Sequence, residues 1–315
     1  MASLRDIRNR IGSVQNTQQV TRAMKMVAAA KLRRAQENIF RTRPYAYKLG
    51  ELIARLKGQV DPALHPLFQH REETRGVLLV VITADRGLAG AFNANIIKLA
   101  EEAIRTRFAS YREEGTLRLL CVGRKGHEHF SKRGYTLVGD FRGAFDNVAF
   151  DTALSVASEA VEGYRKESWD EVHLLYNEFK NTISQNQIMQ PLLPIPAEQF
   201  KTPVMEESAA VSGNAAPGST ERAGKEAAEM DFIFEPHAAA ILDRLVPRFL
   251  NYEIWKALLE SNASEQGARM VAMDSATTNA DDLLKELRLK YNRARQDAIT
   301  KELIEITSGA DALGG

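Results

Sequence analysis

The sequence predicts an α/β domain, with a Rossmann-like and mainly parallel five-stranded sheet, placed between two long helices that form an antiparallel coiled coil. Three observations predict this fold class. Apolar residues repeat every 3.5 positions near the C-terminus, the same repeat recurs near the N-terminus, and strand patterns alternate with helical patterns in between. The expected segments are an N-terminal helix (1–57), a linker (58–75), the sheet domain (76–200), a flexible insertion (201–236) and a C-terminal helix (237–309).

The C-terminal helix carries a continuous seam of apolar or small residues from Leu242 to Ala298. The steps alternate between three and four positions, and only Lys256, Gln266 and Thr277 interrupt the apolar or small character. A 3.5-residue repeat is typical of a left-handed coiled coil. We therefore expect a partner helix or a surrounding sleeve of protein to cover this seam.

Two residues interrupt the predicted C-terminal helix. Pro247 removes one backbone hydrogen bond, so it predicts either a kink or the true start of the helix. Gly267 has two interpretations: a tolerated glycine that costs about 1 kcal/mol against alanine, or a small residue that lets another backbone approach closely.

The N-terminal helix repeats the same period. Ser3 is a plausible N-cap, and seam positions follow from Leu4 to Ile39. The stretch 15–30, QNTQQVTRAMKMVAAA, is rich in polar and small residues. Pro44 should bend or interrupt the helix, and Gly58 with the prolines after it should end it. Because the intervening domain returns the chain, we expect the two seams to pair in antiparallel fashion.

The middle of the chain changes to the pattern of a doubly covered sheet. The run Val77–Thr83 is continuously apolar or β-branched, as expected for a strand that is buried on both faces. Strands that alternate with helices predict right-handed crossovers and parallel pairing. The predicted strands are Val77–Thr83, Leu117–Val122, Tyr135–Val138, Glu171–Tyr176 and Gln187–Leu193, and the predicted helices are Ala91–Phe108, Lys125–Lys132 and Val148–Arg165.

Charge is unevenly distributed along the chain. The formal net charge is +1, but residues 1–57 hold thirteen Lys or Arg against three Asp or Glu, a net of +10, which leaves 1 − 10 = −9 for the remainder. A basic segment of this kind requires either an acidic partner or a solvated face. Nucleic acid and an acidic protein surface are both compatible with this charge.

Several classes of protein are excluded by composition. The single cysteine, Cys121, rules out an internal disulfide, and its apolar surroundings predict a buried thiol. The first residues lack the apolar stretch of a secretory signal, and no segment has the length and apolarity of a membrane-spanning helix. We expect a protein that attaches to a membrane only through partners.

The sequence contains no convincing catalytic or ligand-binding motif. The turns Asp85–Gly90 and Gly123–Gly126 follow predicted strands, but neither matches a dinucleotide or phosphate-loop pattern. We interpret the first as a tight turn with Asp85 as its local cap. His127 and His129 are two positions apart, so they point to different faces of a helix and would form a poor metal pair. We expect them to be exposed, and we predict no catalytic, cofactor-binding or metal-binding residues.

Three stretches taken together resemble the γ subunit of the rotary F-type ATP synthase, bacterial type. They are IRNRIGSVQNTQQVTRAMKMVAAAK (7–31), TADRGLAGAF (83–92) and ASEQGARMVAMDSAT (263–277), the last continuing through YNRARQ (291–296) and ITKEL (299–303). The phrases RPY (43–45) and ISQ (183–185) also fit. The resemblance extends over nearly the whole chain, with its motifs in the expected order.

The resemblance implies a central rotating stalk of a proton-translocating enzyme. The paired helices would form a shaft inside a hexamer of α and β subunits, and the sheet domain would lie beside the ε subunit and above the membrane ring of c subunits. Rotation of the ring would turn the shaft and change the conformation of the catalytic β subunits. The chain itself would have no active site and no cofactor, would be present once per complex, and would sit peripherally at the cytoplasmic face of the bacterial inner membrane.

The resemblance also implies contact residues for the β subunit: Met24, Lys25, Glu265, Gln266, Arg269 and Thr277. For each of them, packing inside the helix pair is the competing interpretation. A charge-assisted hydrogen bond from Arg269 would contribute about 1.5–3 kcal/mol if it were partly desolvated. The polar and small face of residues 15–30 would adhere weakly to a sleeve, which suits a rotating shaft.

Two rival functions are also compatible with the sequence. A basic coiled-coil protein could bind RNA or DNA through residues 1–57, although this segment lacks aromatic residues before Phe40. A nucleotide-dependent enzyme with a helical arm is the other rival, and it lacks a phosphate loop.

Overall fold

The computed structural model describes residues 4–57, 65–69, 71, 73–196, 201–207 and 238–313. The chain divides into two compact units, one formed by Met1–Ala30 with Arg269–Gly315 and the other by Lys31–Ala268. The five segments predicted from the sequence were drawn from its patterns, whereas these two units are defined by contacts within the chain, so the predicted boundaries stay predictions. The helices are α1 (Leu4–Lys57), α2 (Phe92–Thr106), α3 (Ala109–Glu113), α4 (Arg124–Ser131), α5 (Phe150–Arg165) and α6 (Ala238–Leu313), and the strands are β1 (Val77–Ile82), β2 (Leu117–Val122), β3 (Glu171–Phe179) and β4 (Gln185–Leu193).

The two terminal helices are long and unbroken. Helix α1 has 54 residues and continues through Pro44, and α6 has 76 residues and continues through Pro247. Pro247 therefore does not mark the start of α6, and Pro44 does not interrupt α1. Each proline removes one backbone hydrogen bond, and the hydrogen bonds of the neighbouring turns keep the helix continuous there.

The predicted seams are confirmed by burial. Every predicted seam position from Leu242 to Ala298 is buried or half-buried, and so is every one from Leu4 to Ile39. In the first unit Lys25 contacts Asp274 and Gln18 contacts Asp281, so the two helices run in opposite directions. The antiparallel coiled coil predicted from the 3.5-residue repeat is therefore confirmed.

The sheet has four strands in the part of the chain that the structure describes, in the order β2-β1-β3-β4. Strand β1 pairs in parallel with β2 and β3, and β4 pairs antiparallel with β3. Five strands were expected, and this count is wrong. The predicted strand Tyr135–Val138 makes only an isolated bridge, between Leu137 and Leu119. Gly139, which has a positive φ, separates it from a second isolated bridge between Phe141 and Val122, so the pairing with β2 is not continuous.

Both faces of the sheet are covered, as the apolar run of β1 predicts. Leu78, Val80 and Ile82 pack in one cluster with residues of α5 and α6, and Val77, Leu79 and Val81 pack in another with residues of α2. All six residues of β1 have no exposed surface. This burial anchors the first part of α6 to the sheet domain.

The predicted insertion is described only in part. Residues 203–207 form a helical turn, and Thr202 is buried. Val204 donates its backbone N–H to Glu178 on β3, and Lys180 pairs with Glu207. The first residues of the segment therefore pack on the sheet domain, while 208–236 lie outside the described residues, and the flexible insertion stays a prediction. Among the helices that are described, none combines the length and apolarity needed to cross a membrane.

Candidate partner-contact residues in the terminal helices

Thr277 takes part in a polar contact inside the helix pair of the first unit. Its Oγ1 donates to the carbonyl of Met273 at 2.7 Å and lies 2.8 Å from Oγ1 of Thr21 on α1. Oγ1 of Thr21 in turn lies 3.0 Å from the carbonyl oxygen of Gln18. The seam therefore tolerates a threonine at this position because both hydroxyls find partners within the helix pair.

Lys25 also has a partner within the same unit. Its Nζ lies 2.6 Å from Oδ1 of Asp274, and the two side chains are 41% and 56% exposed. An ion pair this exposed contributes at most about 1 kcal/mol, so an acidic group on another protein could replace Asp274 at little cost. Met24 and Arg269 are half-buried.

Glu265 and Gln266 belong to the second unit and are nearly covered by this chain. They are 4% and 6% exposed. Gln266 lines a polar cleft of about 170 Å³, whose other polar lining residues are Lys31, Arg34, Asn38, Asp146, Asn147 and Asn262. Packing within the chain is therefore the dominant environment of both residues, and their contact with a partner stays a prediction.

The glycine turn after β1 is organised around Asp85, but its role differs from a local cap. Asp85 is 5% exposed. Its carboxylate accepts the backbone N–H groups of Arg124 at 2.8 Å, Gly143 at 2.7 Å and Phe145 at 2.8 Å. These donors are 39–60 residues away in sequence. Asp85 therefore ties together two other loops at the end of β1.

The N-terminus of α4 is the other turn that could have held a phosphate. Lys125 donates its N–H to the Ala84 carbonyl at 3.1 Å, and Gly126 donates to Thr83 Oγ1 at 2.9 Å. Gly123 has a φ of +94°, and a Cβ there would lie 2.0 Å from the Thr83 carbonyl oxygen. The backbone donors of this turn are used within the chain, which leaves no cradle for a phosphate.

The two neighbouring histidines are less exposed than expected. Both are half-buried, and His129 Nε2 lies 2.8 Å from Glu101 Oε1. The prediction of exposed histidines is wrong because α4 packs beside α2, which carries Glu101. No group of three or more His, Cys, Asp or Glu in the described ranges is arranged to hold a metal ion. Cys121 is buried as predicted, and burial raises the pKa of its thiol to about 12.

A buried set of charged residues in the second unit was not predicted from the sequence. Arg43 on α1 forms a two-pronged ion pair with Glu260 on α6, and their side chains are 13% and 3% exposed. Burial would lower the pKa of Arg43, but hydrogen bonding to Glu260 and its charge outweigh burial and raise it. One turn earlier, Lys256 pairs with Glu253 at 2.7 Å, with both side chains buried. Lys256 interrupts the apolar seam of the C-terminal helix, and this interruption is the sequence signal that points to the buried charges.

Comparison with known proteins identifies the family. A family model described as ATP synthase matches residues 3–313. A relative from Salinibacter ruber, named ATP synthase gamma chain, is 61% identical over 313 residues, with 99% of each chain covered. The chain belongs to the ATP synthase gamma-chain family. A second gamma chain, from Chloroherpeton thalassium, is 47% identical with 99% of each chain covered.

Solved structures support the same assignment. The chain is similar to a chain from the central stalk and c-ring of the Tetrahymena thermophila mitochondrial ATP synthase, with a TM-score of 0.53 and 26% identity, covering 82% of this chain and 99% of that one. A rotor chain of the Euglena gracilis enzyme has a TM-score of 0.62 at 20% identity, covering 94% and 98%, which supports the fold alone. The resemblance stated from the sequence is therefore confirmed, and this gamma chain is a central-stalk subunit of the ATP synthase.

Proposed function

We propose that this gamma chain is the rotating shaft that couples the membrane c ring to the catalytic β subunits, with one copy in each complex. The observation that carries the proposal is the distribution of exposed apolar side chains. Eight of the thirteen large apolar residues that are exposed in the described ranges lie in the first unit, which holds far less of the chain than the second. They are Val20, Met26, Val27, Leu289, Ile299, Leu303, Ile304 and Ile306.

Exposed apolar residues at this density indicate a surface that another protein covers. The four in α6 beyond residue 298 follow the end of the predicted seam. A sleeve formed by the α and β subunits would enclose this end of the helix. The three in α1 alternate with exposed polar residues such as Gln19 and Arg22. The stretch 15–30 is rich in polar and small residues and also exposes three apolar side chains, so its apolar contacts with a sleeve would be scattered.

The contacts that push the catalytic subunits would come from the residues named above by resemblance. Lys25 and Arg269 supply positive charge that could meet an acidic segment of β, and Thr277 and Met24 lie on the same paired helices. Glu265 and Gln266 would act through the shape of the shaft, since the chain itself covers most of their surface. Charge-assisted bonds that form and break in turn suit a shaft that must not stay bound at one angle.

The remaining parts of the proposal concern position and chemistry. The sheet domain would contact the ε subunit and the c ring, and the chain would lie at the cytoplasmic face of the bacterial inner membrane, held there by the complex. Catalysis would belong to β, as the resemblance implies, and the backbone N–H groups of Arg124 and Gly126 at the start of α4 are already bonded within the chain.

Co-expression with α and β subunits tests this proposal. We expect one copy of the chain in a hexameric complex on size-exclusion chromatography, and a higher ATPase rate than the complex of α and β alone. A chain that stays separate and binds nucleic acid with a steep salt dependence would support the rival function instead.

A further inference from the structure

Strand β3 is longer than its parallel neighbour, and side chains of the two long helices take the place of the missing strand. The pairing of β1 with β3 runs from Val77 and Glu171 to Val81 and Leu175. Strand β3 then continues to Phe179. Along this extension the backbone groups on the β1 side have no strand beside them, so they need other hydrogen-bonding partners.

Two serines of α6 satisfy the backbone of Asn177. Its N–H donates to Ser261 Oγ at 3.2 Å, and its carbonyl accepts from Ser264 Oγ at 3.2 Å. Both serines have no exposed surface, and Asn177 has none either. A donor and an acceptor one helical turn apart on α6 therefore replace one rung of a parallel ladder.

The ion pair satisfies the backbone of Phe179 in the same way. Its N–H donates to Glu260 Oε2 at 2.9 Å, and its carbonyl accepts from Arg43 Nη2 at 3.0 Å. Arg43 and Glu260 are joined to each other at 2.6 and 2.8 Å. One end of β3 is therefore bonded to α1 and α6 through buried, charge-assisted hydrogen bonds, which are the strong ones.

Neighbouring contacts fasten β4 and the β3–β4 turn to α6 as well. Gln190 on β4 donates to Glu253 Oε2 at 2.8 Å, and Lys256 donates to the same oxygen at 2.7 Å. Gly267 lies so close to the turn that a Cβ would be 3.3 Å from the Thr182 carbonyl oxygen. The close-approach interpretation of Gly267 is therefore the right one.

We propose that Arg43, Glu260, Ser261 and Ser264 form a torsional clamp, a set of positioning residues that prevents the sheet domain from turning relative to α1 and α6 under load. The inference rests on the proposed rotary function. Torque that enters through the sheet domain must reach the helix pair, and apolar contacts resist sliding poorly because they have no preferred direction. Hydrogen bonds are directional, and the clamp concentrates four of them, with an ion pair, at two residues of one strand.

Two variants of the assembled ATP synthase test the clamp. Arg43→Met with Glu260→Met removes the ion pair but keeps similar side-chain volume, which limits the disturbance of folding. Ser261→Ala with Ser264→Ala removes only the two hydroxyls, and it remains usable if the first variant does not assemble. Arg71→Met is the matched control, because Arg71 also binds a buried carboxylate, Asp170, and a backbone carbonyl, that of Tyr164 at 2.7 Å, away from α1 and α6.

Hydrogen exchange of individual amides supplies the structural readout. We expect the Phe179 amide to exchange roughly tenfold faster or more in the methionine variant, and the Asn177 amide to do so in the alanine variant. Unchanged exchange at both amides would overturn the clamp. Arg71→Met should leave both rates as they are in the unmodified complex.

The functional readout is coupling per assembled complex. We expect both clamp variants to lower the torsional stiffness measured between the sheet domain and the hexamer, and to lower proton pumping per ATP hydrolysed, with ATPase unchanged. Arg71→Met should change neither. For Arg43→Lys we expect stiffness and proton pumping between those of the unmodified complex and those of the methionine variant, since lysine keeps the charge but loses the two-pronged geometry. Equal stiffness and coupling in all variants would refute the clamp while the rotary function stands, whereas an unmodified complex that neither assembles nor pumps would refute both.

Discussion

Replacing Asp85 with asparagine should destabilise the sheet domain far more than the loss of one exposed charge would. Oδ1 of Asp85 accepts the N–H groups of Arg124 and Gly143, and Oδ2 accepts that of Phe145. In either orientation, the asparagine amide places an NH2 group against at least one backbone N–H. The variant loses a charge-assisted bond and leaves a buried donor unsatisfied, so we expect it to lower the free energy of unfolding by about 3 kcal/mol.

Thermal unfolding followed by tryptophan fluorescence, from the buried Trp169 and the half-buried Trp255, measures this effect. A loss of about 3 kcal/mol should lower Tm by about 6 °C or more. Asp140→Asn is the control, because Asp140 bonds to Arg142 on an exposed loop and should leave Tm nearly unchanged. Equal Tm values for Asp85→Asn and the unmodified chain would refute the role assigned to this carboxylate.

Three further predictions follow from buried groups. Gly163→Ala should cost about 2 kcal/mol or more in urea unfolding, because its Cβ would lie 2.0 Å from the ring of the buried Trp169; an unchanged midpoint would contradict this packing. Burial raises the pKa of Asp170, but Arg71 and two backbone N–H groups outweigh it and hold the pKa below its ordinary value. The stability from Asp170 should therefore be present above about pH 4 and be lost as pH falls through the lower folded pKa, and Asp170→Asn should flatten this acid slope in urea midpoints. Cys121, whose pKa burial raises to about 12, should not react with a disulfide reagent at about pH 8 until urea unfolds the chain, and rapid labelling of the folded protein would show that it is accessible.

The periodic parts of the fold could be predicted from the sequence because burial there follows a regular repeat. The seams of α1 and α6 and the buried strand β1 are of this kind. The extra strand at Tyr135–Val138 was predicted wrongly, since this segment is joined to β2 only by an isolated bridge between Leu137 and Leu119. Apolarity alone does not indicate how many ladder bonds a short segment forms.

The clamp could not be predicted because its members are polar and far apart in sequence. The strand was predicted to end at Tyr176, whereas β3 continues to Phe179 through the polar but buried Asn177 and Glu178. Asn177 is buried because Ser261 and Ser264 of α6, more than eighty positions later, supply the partners of its backbone. Glu178 is buried because it accepts hydrogen bonds from Asn186 on β4 and from the backbone N–H of Val204. The contact residues of the β subunit came from resemblance, and nothing in the isolated chain marks Thr277 or Met24 as more than parts of the helix pair.

Observation of rotation in single complexes tests the central claim most directly. A probe attached through Lys98→Cys on the exposed side of α2 would report the angle of the sheet domain, since the buried Cys121 should stay unlabelled. With the hexamer of α and β subunits fixed to a surface and ATP supplied, we predict unidirectional rotation of the probe in three steps per turn, one for each catalytic β subunit. ATP hydrolysis at the normal rate with a stationary probe would contradict the account.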